Sequence, residues 1–260
     1  MSNSHWLARS THWSKIKAPL RPTNETVTTQ KTLLDYGGSI LLLGGTPEYW
    51  HLFDNICALD REPSILKNVW PGDRDNKSSR QADWMTVDIP SNTYDGIVGD
   101  GSLNMVKFPT DAKILINRCI DWLKPGKAMA IRLFSRPNKA ISINDLRQNA
   151  QILSWDAWRA NLNMYIACNN ESNVLSAARL EIFNMIFPDR EELADETGWD
   201  LEMINTTMDS YKNGTMTTSY PTIEEWKSII PDTILKVDFV DVGGYELSDF
   251  FPILYLRKPT

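Results

Sequence analysis

Histidine and cysteine are scarce in this chain, at three of each in 260 residues. Cys57, Cys119 and Cys168 are odd in number, far apart and set among apolar residues, which fits reduced core thiols better than disulfides and leaves a zinc site little to be built from. Long apolar runs are also missing. The longest, at 40–43 and 253–256, are strand-sized, whereas a bilayer-spanning helix needs about 20 apolar residues. The opening Met-Ser-Asn-Ser-His-Trp has no basic stretch followed by an apolar one, so a secretory leader is not expected and the cytoplasm is the default compartment. Positive charge is in deficit too: the formal net charge of −6 opposes a general attraction to nucleic acid. The short basic stretch around Arg74, Lys77 and Arg80 is mixed with acids and reads as a solvated loop. What remains is an ordinary globular composition, 42% apolar and 23% charged. The length suits one large domain, or one domain carrying a sizeable insertion.

Strands and helices alternate along the first half. A helical segment over 25–35 precedes an apolar run at 39–44 that stops at Gly44-Gly45-Thr46-Pro47, a strand entering a tight turn. Pro47 suits the first turn of a helix, where its missing N–H is no loss, and a short helix is predicted through Phe53. Further strands are predicted at 56–59, ending at Asp60, weakly at 84–87, at 94–99, and at 128–134. Between them lie a helix-like stretch at 63–70 and a helix opening at Thr110, whose residues Ile114, Leu115, Cys119, Ile120 and Leu123 follow helical spacing up to the break at Pro125-Gly126. This rhythm implies βαβ units: an α/β fold with a doubly wound, mainly parallel sheet, its right-handed crossovers placing all the turns on one edge.

The rhythm then changes. Residues 137–220 carry helical patterns and no convincing strand, with aromatics at Trp155, Trp158, Tyr165, Phe183 and Trp199, and read as a helical insertion. Thr222-Ile-Glu-Glu225 has the pattern of a capping box opening a helix that carries Trp226 and Ile229. Two closing strands follow at 234–240 and 251–256, joined through Gly243-Gly244 and close enough to pair antiparallel. The expected organisation is an N-terminal helical cap over 1–36, an α/β core over 37–136, the insertion over 137–221 as a substrate cover, and a closing helix and β-hairpin over 222–260.

Ligands of open α/β sheets bind beyond the carboxyl ends of the strands, where the winding reverses. The glycines of Gly44-Gly45-Thr46-Pro47-Glu48 admit close backbone approach ahead of a helix start, although a purely structural turn fits as well. Asp60, next to Arg61, has the position and chemistry to accept hydrogen bonds from ribose hydroxyls, or else caps the helix near Pro63. Asp83-Trp84 sets an acid beside a large ring, able to accept from an exocyclic amine while walling a purine; Trp84 serves equally as core. Gly99-Asp100-Gly101-Ser102 is a flexible turn with a carboxylate, or a plain turn.

Taken together, Leu41-Leu-Leu-Gly44-Gly-Thr-Pro-Glu48, Ala58-Leu-Asp60, Gln81-Ala-Asp83-Trp84, Tyr94-Asp-Gly-Ile-Val-Gly-Asp100 and Trp122-Leu-Lys-Pro125-Gly126 resemble, in order, the signature turns of class I S-adenosylmethionine-dependent methyltransferases. The resemblance spans 39–134, with 234–256 similar to that family's terminal hairpin. It implies a Rossmann-like methyltransferase fold and S-adenosyl-L-methionine as cofactor. By the resemblance Gly44, Gly45, Thr46, Pro47 and Glu48 would surround the methionine part, Asp60 the ribose, Asp83 and Trp84 the adenine, and Asp100 would sit near the cofactor and the substrate mouth, with Arg61, Gly99, Gly101 and Ser102 also among the cofactor-binding residues. The first turn departs from the pattern: Leu42 stands where an acid is usual and Thr46 where a second glycine is. Either another acid, Glu48 or Asp100, takes the amino-group contact, or the pocket has lost it.

Upstream, Pro19-Leu20-Arg21-Pro22 holds an arginine in a stiff segment. Arg21 could grip the cofactor carboxylate in two places, or form a surface salt bridge. His12-Trp13 could line the substrate mouth, or pack as part of an amphipathic helix. The reaction implied is in-line methyl displacement onto a small-molecule acceptor, with no covalent nucleophile or metal, and His12 or Asp100 as base where one is needed. Two other readings stay open. One is a non-catalytic cofactor-binding or interaction module on the same sheet; the other is a nicotinamide oxidoreductase, disfavoured because the first turn lacks G-x-G-x-x-G. No nucleic-acid or membrane partner is expected.

Overall fold

The computed structural model describes residues 4–34, 37–212 and 214–260. Two helices, α1 (Ser4–Thr11) and α2 (Asn24–Leu34), precede the sheet; Asp35, expected to end the second, lies outside the described residues. The core then runs β1 (Ile40–Leu43), β2 (Ile56–Asp60), α3 (Pro63–Asn68), β3 (Lys77–Gln81), β4 (Tyr94–Asp100), α4 (Thr110–Trp122) and β5 (Leu123–Arg132). The insertion comprises α5 (Ile143–Ala150), α6 (Trp155–Cys168), β6 (Asn173–Leu175), α7 (Ser176–Ile186), α8 (Arg190–Thr197), α9 (Leu201–Ser210) and β7 (Thr217–Ser219). The chain closes with α10 (Ile223–Ser228), β8 (Lys236–Val240) and β9 (Ile253–Arg257).

One seven-stranded sheet has the order β3-β2-β1-β4-β5-β9-β8. The β1–β5 strands are mutually parallel, and β9 runs antiparallel to both β5 and β8. The winding therefore reverses between β1 and β4. Apolar residues bury both faces of the sheet, as a parallel sheet flanked by helices requires: Leu41, Leu43, Ile97 and Met129 pack toward α4 and Trp226, while Ile40, Leu42, Val98 and Ala130 pack toward Val27 and Leu34 of α2. A separate apolar cluster forms the insertion, with Trp155, Trp158 and Phe183 at its centre and Trp199 packed against it.

Three expectations need correction. The third strand is Lys77–Gln81, not 84–87: Lys-Ser-Ser-Arg-Gln is an edge strand held by its backbone register to β2, and most of its side chains meet solvent. Residues 84–87 are instead a turn, in which the amides of Thr86 and Val87 donate to the Asp83 carbonyl. Lys77 and Arg80 accordingly lie on a strand, and Arg74 forms an isolated bridge to Lys77, not a free loop. Lys77 and Arg74 both stand over the Trp50 ring, at 4.3 and 4.4 Å from its centroid. Finally, the insertion holds a short antiparallel pair, β6 with β7.

The capping box at Thr222 is formed as expected: its hydroxyl accepts from the Glu225 amide at 3.1 Å, and the Glu225 carboxylate accepts from the Thr222 amide at 2.6 Å. Thr222→Ala should lower stability by about 1 kcal/mol, read as a shifted urea midpoint with an unchanged slope. An unchanged midpoint would show that the cap contributes nothing.

Candidate active site

The registers set the site. Leu43 of β1 pairs with Leu59 of β2 on one side and Gly99 of β4 on the other, so the next residues, Gly44, Asp60 and Asp100, stand side by side along one rim. The rim coincides with the reversal of the sheet, and a pocket opens there. Its wall includes Gly44, Gly45, Thr46, Asp60, Arg61, Asp83, Trp84, Asp100 and Ser102. The structure thus brings together nine of the expected site residues from four separate turns.

Each is positioned by local chemistry. Gly44 turns with φ +117°, a left-handed value that favours glycine, and a β-carbon there would lie 4.0 Å from both Asp60 Oδ2 and Thr46 Oγ1. Asp60 Oδ1 accepts from the Glu62 amide at 2.9 Å, a loop contact; the residue at the start of α3 is Glu62, so Asp60 is not its cap. Burial pushes the Asp60 carboxyl up to about 6, the neighbouring Glu62 carboxylate adds to the rise, and the Glu62 amide and Arg61 oppose it. Asp83 Oδ1 accepts from the Met85 amide at 2.9 Å, and the Arg61 guanidinium lies 3.5 Å from its other oxygen. The Trp84 indole N–H donates to the Leu59 carbonyl at 2.6 Å, fixing the ring against the end of β2. Ser102 Oγ and the Trp13 indole nitrogen are buried without hydrogen-bond partners, and both residues line the pocket.

Several expected residues are placed otherwise. Arg21 donates to the Glu48 carboxylate and to the Trp13 carbonyl, so it is engaged within the protein and does not line the pocket. Glu48 does not line it either, although one of its carboxylate oxygens is buried without a donor. Asp100 does line it but is committed to Arg132, and both are buried, with side-chain exposures of 4% and 0%. Burial works against the Arg132 charge; the Asp100 carboxylate and the Tyr245 hydroxyl outweigh it and raise the guanidinium above its ordinary value. Pro47, Gly99 and Gly101 stand behind the wall. Gly101 adopts φ +63° against the Phe134 ring, 2.5 Å from where a β-carbon would sit. His12 faces a neighbouring cleft, its ring bonded to the Ala8 carbonyl at 3.1 Å.

The remaining wall lies in the N-terminal cap and the insertion, the latter expected as a cover, but on residues the sequence did not single out. It comes from α1 (His5, Trp6 and Arg9), from α6 (Arg159 and Asn163), from Arg179 of α7, and from Tyr211, Thr218 and Tyr220. His5 bonds the Ser210 hydroxyl at 3.1 Å and stacks on Tyr211 with ring centroids 4.9 Å apart. Burial holds His5 well below the ordinary imidazole range, and Arg9, Arg179 and Arg159 push it further down, so its ring is neutral. A sequence cue for Arg179 does exist: with Phe183 and Ile186 it lies on the buried stripe of α7.

Asn104 joins this wall to the core. Its amide donates to the carbonyls of Phe134 and Ser219, each at 2.7 Å, and accepts from the Phe134 amide at 2.9 Å. Among the described residues no cluster of histidine, cysteine, aspartate or glutamate suited to a metal ion is present. The three cysteines are free thiols. No described helix is long and apolar enough to cross a membrane.

No protein-family model matches the sequence, and no curated protein does. Solved structures are similar over the whole chain. A Rhodobacter sphaeroides protein provisionally described as a zinc-dependent alcohol dehydrogenase is 9% identical at TM-score 0.62, with all of both chains covered. The N-methyltransferase NodS of Bradyrhizobium japonicum, in complex with S-adenosyl-L-homocysteine, is 12% identical at TM-score 0.53, again covering all of both chains. A chain from the Haloferax volcanii complex of the Trm112 activator with a provisionally assigned methyltransferase is 11% identical at TM-score 0.52, over 98% of this chain and 95% of that one. At such identities the common property is the fold, and it is the Rossmann-like methyltransferase fold with a terminal antiparallel hairpin.

Proposed function

We propose that the protein binds S-adenosyl-L-methionine at the reversal of its sheet and transfers the methyl group to a small-molecule acceptor. The observation that carries this reading is the convergence of Gly44–Thr46, Asp60, Asp83–Trp84 and Asp100–Ser102 on one pocket, which matches the chemistry of the cofactor part by part. A carboxylate at the end of β2 suits a vicinal diol, an acid beside a fixed indole suits a purine, and two unpartnered polar atoms in the wall are available to a polar ligand.

The bound cofactor would supply an activated sulfonium methyl group. The chain's own residues hold, align and exclude water. Asp60 accepts from the ribose hydroxyls, and Trp84 with Asp83 walls and accepts from the adenine. Arg9 takes the part expected of Arg21: it lines the pocket, lies 5.9 and 5.6 Å from the Trp6 and Trp13 ring centroids, and has no carboxylate within ion-pair distance among the described residues. For the amino group neither expected acid is free in the wall: Glu48 lies outside the pocket and is bound by Arg21, and Asp100 is held by Arg132. His5, not His12, is the imidazole that lines the pocket, and the burial and arginine charges that keep its ring neutral also make it a weak base. The acidic net charge accords with a small-molecule acceptor over nucleic acid.

Calorimetry with S-adenosyl-L-homocysteine, 5′-methylthioadenosine and NAD tests this reading. Micromolar binding of the homocysteine compound without NAD binding is expected. Arg9→Met should weaken the homocysteine compound about tenfold, the loss of a charged hydrogen bond, while leaving methylthioadenosine, which lacks the carboxylate, unchanged. Binding of NAD alone would move the protein to the oxidoreductases.

A further inference from the structure

Arg159 and Arg179 come from separate helices of the insertion, yet both are buried, at 5% and 3% exposure, and both line the pocket. Arg179 is held by neutral partners: it donates to Asn163 Oδ1 at 2.7 Å, to Ser176 Oγ at 3.1 Å and to Thr218 Oγ1. Arg159 donates to Asp156 Oδ1 at 2.7 Å, and its Nε is buried without a partner. Asp156 is itself shared, since its other oxygen accepts from the Lys17 amide at 2.7 Å. Among the described residues it is the only carboxylate ion-paired to Arg9, Arg159 or Arg179. Two of the three positive charges therefore face the cavity with no counter-charge, a costly state for a buried guanidinium unless an anion arrives to complete it.

Neighbouring groups register the resulting positive potential. Tyr49, Tyr211 and Tyr220 are all buried, and burial alone raises a phenol. Tyr49 and Tyr220 are raised, but Tyr211 is lowered: burial pushes it up and the charges of Arg159, Arg179 and Arg9 outweigh that push. His5 is lowered first by burial, and the same three arginines lower it further. Around the charges the wall is apolar and aromatic, with Trp6, Trp13, Met105, Phe134 and Met216.

We propose that Arg159 and Arg179 form an anion-binding subsite, so that the methyl acceptor is an aromatic or apolar organic acid whose carboxylate or phosphate they grip. The word acceptor rests on the methyl-transfer reading; the anion site does not. Two guanidinium groups from different helices, with Tyr211 and Tyr220 beside them, offer the forked donors that planar oxyanions fit. The site belongs to the insertion, whereas the residues matched to the cofactor lie on the strand rim and, for Arg9, on α1.

The test is binding of benzoate, cinnamate and phenyl phosphate against the neutral benzamide and cinnamamide. It is run at low salt by calorimetry, with and without saturating S-adenosyl-L-homocysteine. The acids should bind at least about tenfold tighter than the amides, and Arg159→Met and Arg179→Met should each remove that preference. Arg179→Lys should retain part of it. Affinity for S-adenosyl-L-homocysteine should stay unchanged in all three variants, which also shows that they fold. Benzoate against phenyl phosphate separates carboxylate from phosphate. Equal binding of acids and amides to the unaltered protein overturns the inference. So does a preference that survives both methionine variants, or a parallel loss of S-adenosyl-L-homocysteine affinity, which would assign the pair to the cofactor's own carboxylate. Acid selectivity without any binding of that compound would leave the anion site standing and sink the methyltransferase reading.

Discussion

Asp100→Asn should lower the stability of the fold by about 3–5 kcal/mol, the effect expected when one partner of a buried ion pair is removed. For a chain of this size that corresponds to a fall in melting temperature on the order of 10 °C. Asp100 and Arg132 end neighbouring strands in register, β4 against β5, and both side chains are almost wholly buried. Asparagine keeps the shape but presents an amide where the guanidinium needs a charge. Arg132 Nη2 already lacks a partner, and its remaining support is a 3.4 Å contact with the Tyr245 hydroxyl and the faces of Phe134 and Phe251, at 5.3 and 5.4 Å. The double variant Asp100→Asn with Arg132→Met should recover much of the loss, because the stranded charge is gone. A catalytic-base role for Asp100 predicts the reverse pattern, in which turnover disappears and the melting temperature stays within a degree of the unaltered protein.

Asp60→Ala should weaken S-adenosyl-L-homocysteine binding by about 1–3 kcal/mol, the range for a hydrogen-bonded charged group, or roughly 5- to 150-fold in Kd. Protonation offers a second readout. With the carboxyl raised by burial to about 6, it is ionised at pH 7.5 and takes up a proton as pH falls through 6, so affinity should be level above that point and decline below it, by at most about tenfold per pH unit. Asp60→Asn should abolish the inflection. Its effect on stability has the opposite sign. A carboxyl that holds its proton more tightly when folded, about 6 against 3.8 for the free group, contributes stability below pH 3.8 and loses it as pH rises through 6. Removing the charge at pH 7.5 should therefore raise the melting temperature while weakening the ligand. A binding curve with no pH inflection, or a lower melting temperature in Asp60→Asn, would return Asp60 to a structural role.

Much of this architecture was legible because buried parallel strands must be apolar. Ile40–Leu43 announces itself that way, and the turn after it carries Gly44, Gly45 and Pro47 for conformational reasons; Ile253–Arg257, although antiparallel to its neighbours, is buried as well and shows the same apolar run. β3 was misplaced because an edge strand half in solvent needs no apolar residue, so Lys77–Gln81 looks like a loop while the apolar Trp84 and Val87 nearby look like a strand. β6 and β7 are three residues each and are held together across the whole insertion, which no local pattern records. In the site, the residues on the rim could be read from their own turns. Arg9 and Arg159 could not, since arginine in a helix ordinarily signals a wet face; Arg179 falls on the buried stripe of α7, but only long-range assembly makes the three a wall of one pocket. His12 and Arg21 were misjudged for a related reason. Sequence placed them in the right segment, and the pitch of the chain gave the cavity to His5 and Arg9 instead.

The three hydrogen bonds of Asn104 bear on how this scaffold could be re-engineered. One carboxamide fastens Phe134, just beyond β5, to the main chain of Ser219 near the far end of the insertion, so a block 137–221 transplanted from another protein would have to present a carbonyl at the same place. A chimera intended to change acceptor choice should therefore carry position 104 along with the transplanted block.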